Sequence, residues 1–210
     1  MKKTSSIKSI ISRMYYYTLG RILDIASLYR LDLSMYRTIS YLEIDPRYQF
    51  HIFYDFDDRI GDLYELVPGR TEIVKKRFQS GNYACFTYVD TAKDAIAYAR
   101  WICKQEFYSD TLGEMLKFKE SEVLTLDSYT PPCYRGKGLH RAMNIEMLNW
   151  LKQETDFQAV YMVILAFLFH LSKIATALGY KRIYTRINYR KGSFGTNFRV
   201  LLGKLKAIRA

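Results

Sequence analysis

Four prolines in 210 residues leave few places where a helix or sheet must break, and three cysteines are too few to staple a small fold. Cys85, Cys103 and Cys133 have no close paired spacing, so reduced thiols and a cytoplasmic setting are expected. The three histidines, His51, His140 and His170, lie far apart and make no ligand pattern with the cysteines, so no metal site is expected. No stretch reaches the ~20 apolar residues that span a bilayer. The longest apolar run, Ala159 to Leu171, has 13 residues and reads as buried core. The start, with Lys2 and Lys3, lacks the apolar core and small-residue cleavage site of a secretory signal.

Acidic residues are missing from 181–210, which carries nine Lys/Arg. Residues 1–40 carry seven, against only Asp24 and Asp32. Of the net charge of +11, these ends contribute +5 and +9, leaving −3 for residues 41–180. Basic ends can lie on a phosphate backbone or an anionic lipid surface, or simply keep a protein soluble. No nucleic-acid-reading motif accompanies them, so nucleic acid is not the expected partner. Residues 1–40 are the candidate contact with an anionic membrane surface, placing the protein in the cytoplasm or peripherally at the inner face of a membrane.

What is present is apolar material for one sizeable core: 49% hydrophobic residues, 16% aromatic, 19 of them tyrosines. From Ile7 to Leu33, apolar residues recur at spacings of three and four, which predicts an amphipathic helix. Strand patterns follow at 49–56, 84–89, 94–103 and 122–130, with a Pro68-Gly69 break, a short helix over 71–78 and a turn at 90–93 between them. Pro131-Pro132 stops the last of these strands. Leu139, Ala142, Met143, Met147, Trp150 and Leu151 mark one face of a long helix. Residues 159–166 read as a strand covered on both faces. Leu171, Ile174, Ala175 and Leu178 then show helical spacing capped by Gly179, and 181–187 reads as a final strand. Trp101, Phe86 and Tyr88 read as core, and so does His170. The expected organisation is a basic helical extension over 1–45, one mixed α/β domain over 46–190 and a basic tail over 191–210.

The chemistry concentrates where the strand ending at Thr130 meets the helix beginning near Leu139. Between them stands Pro131-Pro132-Cys133-Tyr134-Arg135-Gly136-Lys137-Gly138. Glycines let a backbone turn tightly and approach a ligand, and a helix start offers free amides and a positive dipole end to an anion. Arg135 and Lys137 add full charges. The segment lacks the nucleotide P-loop and the three-glycine dinucleotide fingerprint, so a diphosphate in another setting is the expected guest.

Pro132-Cys133-Tyr134-Arg135-Gly136-Lys137-Gly138 resembles the pyrophosphate loop of the GNAT acetyltransferase superfamily, Gln/Arg-x-x-Gly-x-Gly/Ala, commonly seen there as Pro-x-Tyr-Arg-Gly-x-Gly. The Leu178-Gly179-Tyr180 ending of the later helix resembles that superfamily's Leu-Gly-Phe/Tyr. The likeness covers roughly 62–187. It implies a central mixed, mostly antiparallel sheet flanked by helices, and acyl transfer from coenzyme A, acetyl-CoA first, to the amine of a small molecule. Main-chain groups of Arg135, Gly136, Lys137, Gly138, Leu139 and His140 would hold the pyrophosphate, and Tyr129 and Thr130 the pantetheine arm. The chain departs from the pattern at Cys133, often Gln or Arg in the family, and at His140, often a third glycine. It also has Leu168 and Leu171 in place of an Asn-x-x-Ser, and Ala175 where a helix tyrosine often serves as general acid.

Asp127 and Tyr129 lie two apart on the strand before the loop, and alternation puts them on one face. Asp127 is the candidate base and Tyr129 the candidate acid, with Glu122 behind them. No histidine is placed by sequence to activate Cys133 as a nucleophile. Two other readings remain: a membrane-associated acyltransferase acting on a lipid or surface-polysaccharide precursor, and an inactive GNAT-like module whose basic ends hold nucleic acid.

Overall fold

A computed structural model describes residues 23–64 and 70–189. The first part of the expected N-terminal helix, the Pro68-Gly69 break and the basic tail lie outside those residues. The described residues divide into two compact units, one within 33–106 and 118–160, the other of 23–32, 107–117 and 161–189. Each unit has strands and helices of its own, so the described residues are mixed α/β with mostly antiparallel strand pairs.

The first unit carries strands β2 (Tyr48–Phe53), β3 (Tyr83–Asp90), β4 (Ala95–Cys103) and β7 (Glu122–Tyr129), hydrogen-bonded in that order, each antiparallel to the next. Helices α1 (Asp58–Tyr64) and α2 (Arg70–Gln79) cover one core cluster, in which Ile60, Val74, Cys85, Ala99 and Trp101 lose all contact with water. Phe78 stacks on Trp101 with ring centroids 5.0 Å apart. Helix α3 (Leu139–Gln153) buries Ala142, Met143, Met147 and Leu148, and its Trp150 meets Phe86 edge-on at 5.4 Å. Trp101, Phe86 and Tyr88 are therefore core, as the strand patterns imply.

Helix α1 is not foreshadowed by apolar spacing; a polar cap makes it. The Asp57 carboxylate accepts from the Arg59 amide at 2.9 Å and from its guanidinium, and the Asp57 carbonyl accepts from Ile60. Asp57→Ala is expected to lower stability by about 1 kcal/mol, a fall of roughly 2–4 °C in Tm on thermal unfolding.

The second unit holds β1 (Leu23–Asp32) between β8 (Ala159–Leu165) and β9 (Lys181–Tyr189), the helix α4 (Phe169–Ala177) and a small hairpin of β5 (Glu106–Ser109) with β6 (Glu114–Lys117). Here the structure corrects the sequence reading. Residues 23–32 are a strand antiparallel to β9, not the end of a helical extension. The composition permits either, because Ile25, Tyr29 and Leu31 also satisfy a period of two. Neighbours on both sides decide in favour of the strand, with Ser27 and Thr185 hydroxyls bonded at 2.7 Å.

Past β1, residues 33–47 are irregular rather than helical. Buried Asn149 of α3 pins them: its amide oxygen accepts from the Tyr36 hydroxyl at 3.0 Å and its nitrogen donates to the Ile39 carbonyl at 2.8 Å. Strand β8 buries alternate residues after Val160 instead of both faces throughout, and His170 is exposed on α4, not core. Gly179 ends α4 as expected, at φ 93°. Among the described residues, no helix is long and apolar enough to cross a membrane.

Candidate active site at the β7–α3 junction

The junction is built from main chain. Pro132–Tyr134 forms one 3-10 turn, closed by the Tyr134 amide on Pro131 at 2.9 Å and the Arg135 amide on Pro132 at 3.3 Å. The Arg135 amide is thus committed, and its guanidinium Nε donates back to the Thr130 carbonyl at 3.2 Å, closing the loop on the strand end. Gly136 and Gly138 adopt φ 78° and 77°, left-handed conformations that a Cβ resists. No atom stands within 4 Å of where either Cβ would be, so the space above both glycines is open.

Gly138 is the N-cap of α3, and no side chain caps the helix start. The first bonds to an intrahelical acceptor run from Arg141 and Ala142 to the Gly138 carbonyl at 3.0 and 3.1 Å. The amides from Gly136 to Leu139 precede them, at the positive end of a 15-residue helix. Buried Leu139 anchors this turn to the core while Arg135, Gly136, Lys137 and Gly138 stay exposed.

Side chains from β2 and the β3–β4 turn gather around the loop. The Lys137 ammonium donates to the Tyr48 hydroxyl at 2.9 Å and lies 5.3 Å from the centre of the Tyr134 ring. Lys93 lies 5.8 Å from the same ring, and the Arg47 guanidinium 4.7 Å over Tyr48. The Arg47 carbonyl takes the Thr91 amide at 2.9 Å, tying the turn to β2. Burial, helped by the Asp90 carboxylate beside it, pushes the Tyr134 phenol up to about 12. Tyr134 therefore stays neutral beneath these cations.

Asp127 and Tyr129 share a face, but a bulge rather than plain alternation arranges it. Register runs from Arg100 opposite Ser128 to Trp101 opposite Leu126, so Asp127 is the extra residue, at φ 39°. Its carboxylate oxygen Oδ2 accepts from Arg70 at 2.7 Å and from Arg77, both on α2. The Tyr129 ring lies 5.7 Å from that of Tyr64, on the α1 and α2 side. Glu122 stands at the far end of β7 from the loop. Cys133 is exposed, whereas Cys85 and Cys103 are buried.

On the opposite face of the sheet, Tyr88 donates its hydroxyl to Glu146 of α3. Burial pushes the Glu146 carboxyl above its ordinary 4.5, and the hydrogen bond opposes this. A folded value above the unfolded one means a contribution to stability that is full below about pH 4.5 and lost as pH rises through the folded value. Glu146→Gln should therefore match the native protein near pH 4 and exceed its Tm at pH 7.

No family model and no curated protein matches the chain. Solved structures do. A tandem GNAT protein of the clavulanic acid biosynthesis pathway superposes with TM-score 0.57 at 12% identity, over 87% of this chain and 59% of its own. The chain has the GNAT fold.

A GCN5-related glucosamine N-acetyltransferase region of a fungal multi-domain GH3 beta-N-acetylglucosaminidase matches over 86% of this chain at 12% identity and TM-score 0.56. A GCN5-related N-acetyltransferase from Sphaerobacter thermophilus matches over 89% at 9% identity and TM-score 0.52. This chain spans 22% and 58% of the lengths of those two. Within this GNAT fold, the segment that resembles the superfamily's pyrophosphate loop is the strand-to-helix junction described above.

Sequence reading missed Arg47, Tyr48 and Lys93, and it missed Tyr98, Arg100 and Asn144 behind the helix start. The first three sit about 40 to 90 residues before the loop, and no spacing rule connects them to it. Arg100 alone left a trace: a cation in the otherwise apolar stretch from Ala95 to Cys103.

Proposed function

We propose that the chain is a GNAT-type acyltransferase that uses acetyl-CoA to acylate the amine of a small molecule. The observation that carries this reading is the β7–α3 junction: two left-handed glycines with open space above them, at an uncapped helix start flanked by Arg135 and Lys137. A diphosphate fits that donor set, since its oxygens accept from main-chain amides and from both side chains. Gly136, Lys137, Gly138, Leu139 and His140 would hold it through the main chain, with the Arg135 and Lys137 side chains beside them. Tyr129 and Thr130 at the end of β7 would hold the pantetheine arm. Bound coenzyme supplies the acyl group as an activated thioester.

The rest is the work of side chains on the α1 and α2 side. Both arginines take Oδ2 of Asp127, which leaves Oδ1 as the atom to receive a proton from an acceptor amine. The Tyr129 hydroxyl is the matching proton donor. Arg70 and Arg77 fix the orientation of Asp127, so a base role needs no rearrangement of the bulge.

The test is thermal unfolding with and without acetyl-CoA, followed by release of free thiol in the presence of amines. At a hundred times its dissociation constant, acetyl-CoA should add about 2.7 kcal/mol, a rise of roughly 5–10 °C. Absence of any rise with acetyl-CoA would remove the reading.

A further inference from the structure

Arg100 lies in the middle of β4 and retains 7% of its exposure. Its Nη1 donates to the Asn144 side-chain oxygen at 2.7 Å and its Nη2 to the Thr125 hydroxyl at 2.9 Å. Its buried Nε has no hydrogen-bond partner among the described residues. Both acceptors are neutral, so they orient the guanidinium without cancelling its charge. No carboxylate pairs with it among the described residues: the acid on the facing helix, Glu146, takes the Tyr88 hydroxyl instead. Burial pushes the Tyr98 phenol up against the opposing pull of Arg100, so no phenolate supplies the missing charge.

A buried cation without a counter-ion is costly, and removing its charge often leaves a fold no less stable. Its position shows where an anion would offset that cost. Asn144, which receives Nη1, donates through its own nitrogen to the His140 carbonyl at 2.6 Å. His140 is the second residue of α3, and its ring pairs with the Tyr98 hydroxyl at 2.9 Å. One side chain therefore separates the guanidinium from the first turn of the helix whose start forms the anion cradle. Inside the protein its field is weakly screened and adds to the helix dipole at that end.

We propose that Arg100 is a positioning residue for coenzyme binding, a fixed counter-charge for the diphosphate set behind the cradle rather than in contact with it. The proposal rests on the reading of the junction given above. A purely structural Arg100 would join β4, β7 and α3 with no effect on the affinity of the folded protein.

The test compares Arg100→Lys with Arg100→Met. Both lose the planar fork, and only the first keeps the charge. Titrations with acetyl-CoA and with inorganic pyrophosphate are run at pH 6.5, where a buried lysine keeps its proton even if its pKa falls by about 3 units. Unfolding of each ligand-free variant is measured alongside. Lysine should bind acetyl-CoA at least about tenfold more tightly than methionine, and the methionine variant should unfold no earlier than the lysine variant. Equal affinities would overturn the proposal, whatever happens to stability. Should the native protein bind pyrophosphate but not acetyl-CoA, the acyltransferase reading fails, and the same lysine-to-methionine ratio on pyrophosphate decides Arg100. Binding of neither removes both.

Discussion

Gly138→Asp should abolish the stabilisation by acetyl-CoA, with affinity falling at least about a hundredfold, while the ligand-free variant stays within about 1 kcal/mol of the native stability. The two halves of this expectation come from different physics. Gly138 holds the N-cap at a left-handed φ, not the extended conformation of a capping aspartate, but aspartate tolerates that φ better than most residues with a Cβ. No atom stands within 4 Å of the new Cβ, so the cost is the backbone strain of φ 77° alone, about 1 kcal/mol. Folding should be little affected. An anion arriving at the cradle would meet a carboxylate there, and at about 4 Å two like charges at an effective dielectric near 20 repel by several kcal/mol. Calorimetric titration with acetyl-CoA on both proteins checks the affinity, and unfolding without ligand checks the fold. Native-like binding by the variant would show that the coenzyme does not use this junction.

Asp127→Ala should be the most destabilising single change near the site, by about 2–3 kcal/mol, or roughly 4–12 °C in Tm. Arg77 is only 10% exposed, and its Nη1 already lacks a partner. Its guanidinium also lies 5.1 Å from the Trp101 ring and 5.4 Å from that of Tyr83, so it cannot simply swing into water. Without Asp127 it becomes a buried charge with no acid. Asp127 and Arg70 are about one-third exposed, which keeps the loss below the value for a fully buried pair.

Asp127→Asn separates structure from chemistry. Asparagine tolerates φ 39° and still accepts from one arginine, so it should lose less stability than alanine. If Asp127 Oδ1 is the base, turnover by the asparagine variant should fall about 10²–10⁴-fold with coenzyme affinity unchanged. Turnover within threefold of native would assign Asp127 to holding α2 against β7 and nothing more.

How much of this was legible in the sequence depends on the range of the forces involved. The loop was legible because its requirements are local. Two positive φ angles two residues apart demand glycines at 136 and 138, the Pro-Pro pair must end the strand, and Leu139 with Ala142 and Met143 must begin an apolar helix face. Strands β2, β3, β4 and β7 were legible for the same reason, each being a short run with its own turn. Residues 23–32 were not, because helix and strand periods both fit them and only pairing with β9 separates the two. Helix α1 escaped because a single carboxylate starts it, and the β5–β6 hairpin because four-residue strands carry too little pattern.

By itself the sequence determined the local form of the proposed site: a glycine-bearing strand-to-helix junction, with Asp127 and Tyr129 on the strand before it, in a chain of alternating strands and helices. Backbone conformation and apolar periodicity act between near neighbours, and the order of residues records them. Tertiary structure decided what surrounds the cradle. It placed Arg70 and Arg77 on Asp127, brought Tyr48 of β2 and Lys93 of the β3–β4 turn to Lys137 and Tyr134, and left Arg100 buried with no acid among the described residues behind the helix start. Burial and charge pairing depend on which side chains meet in space, and that is set only once the sheet has formed.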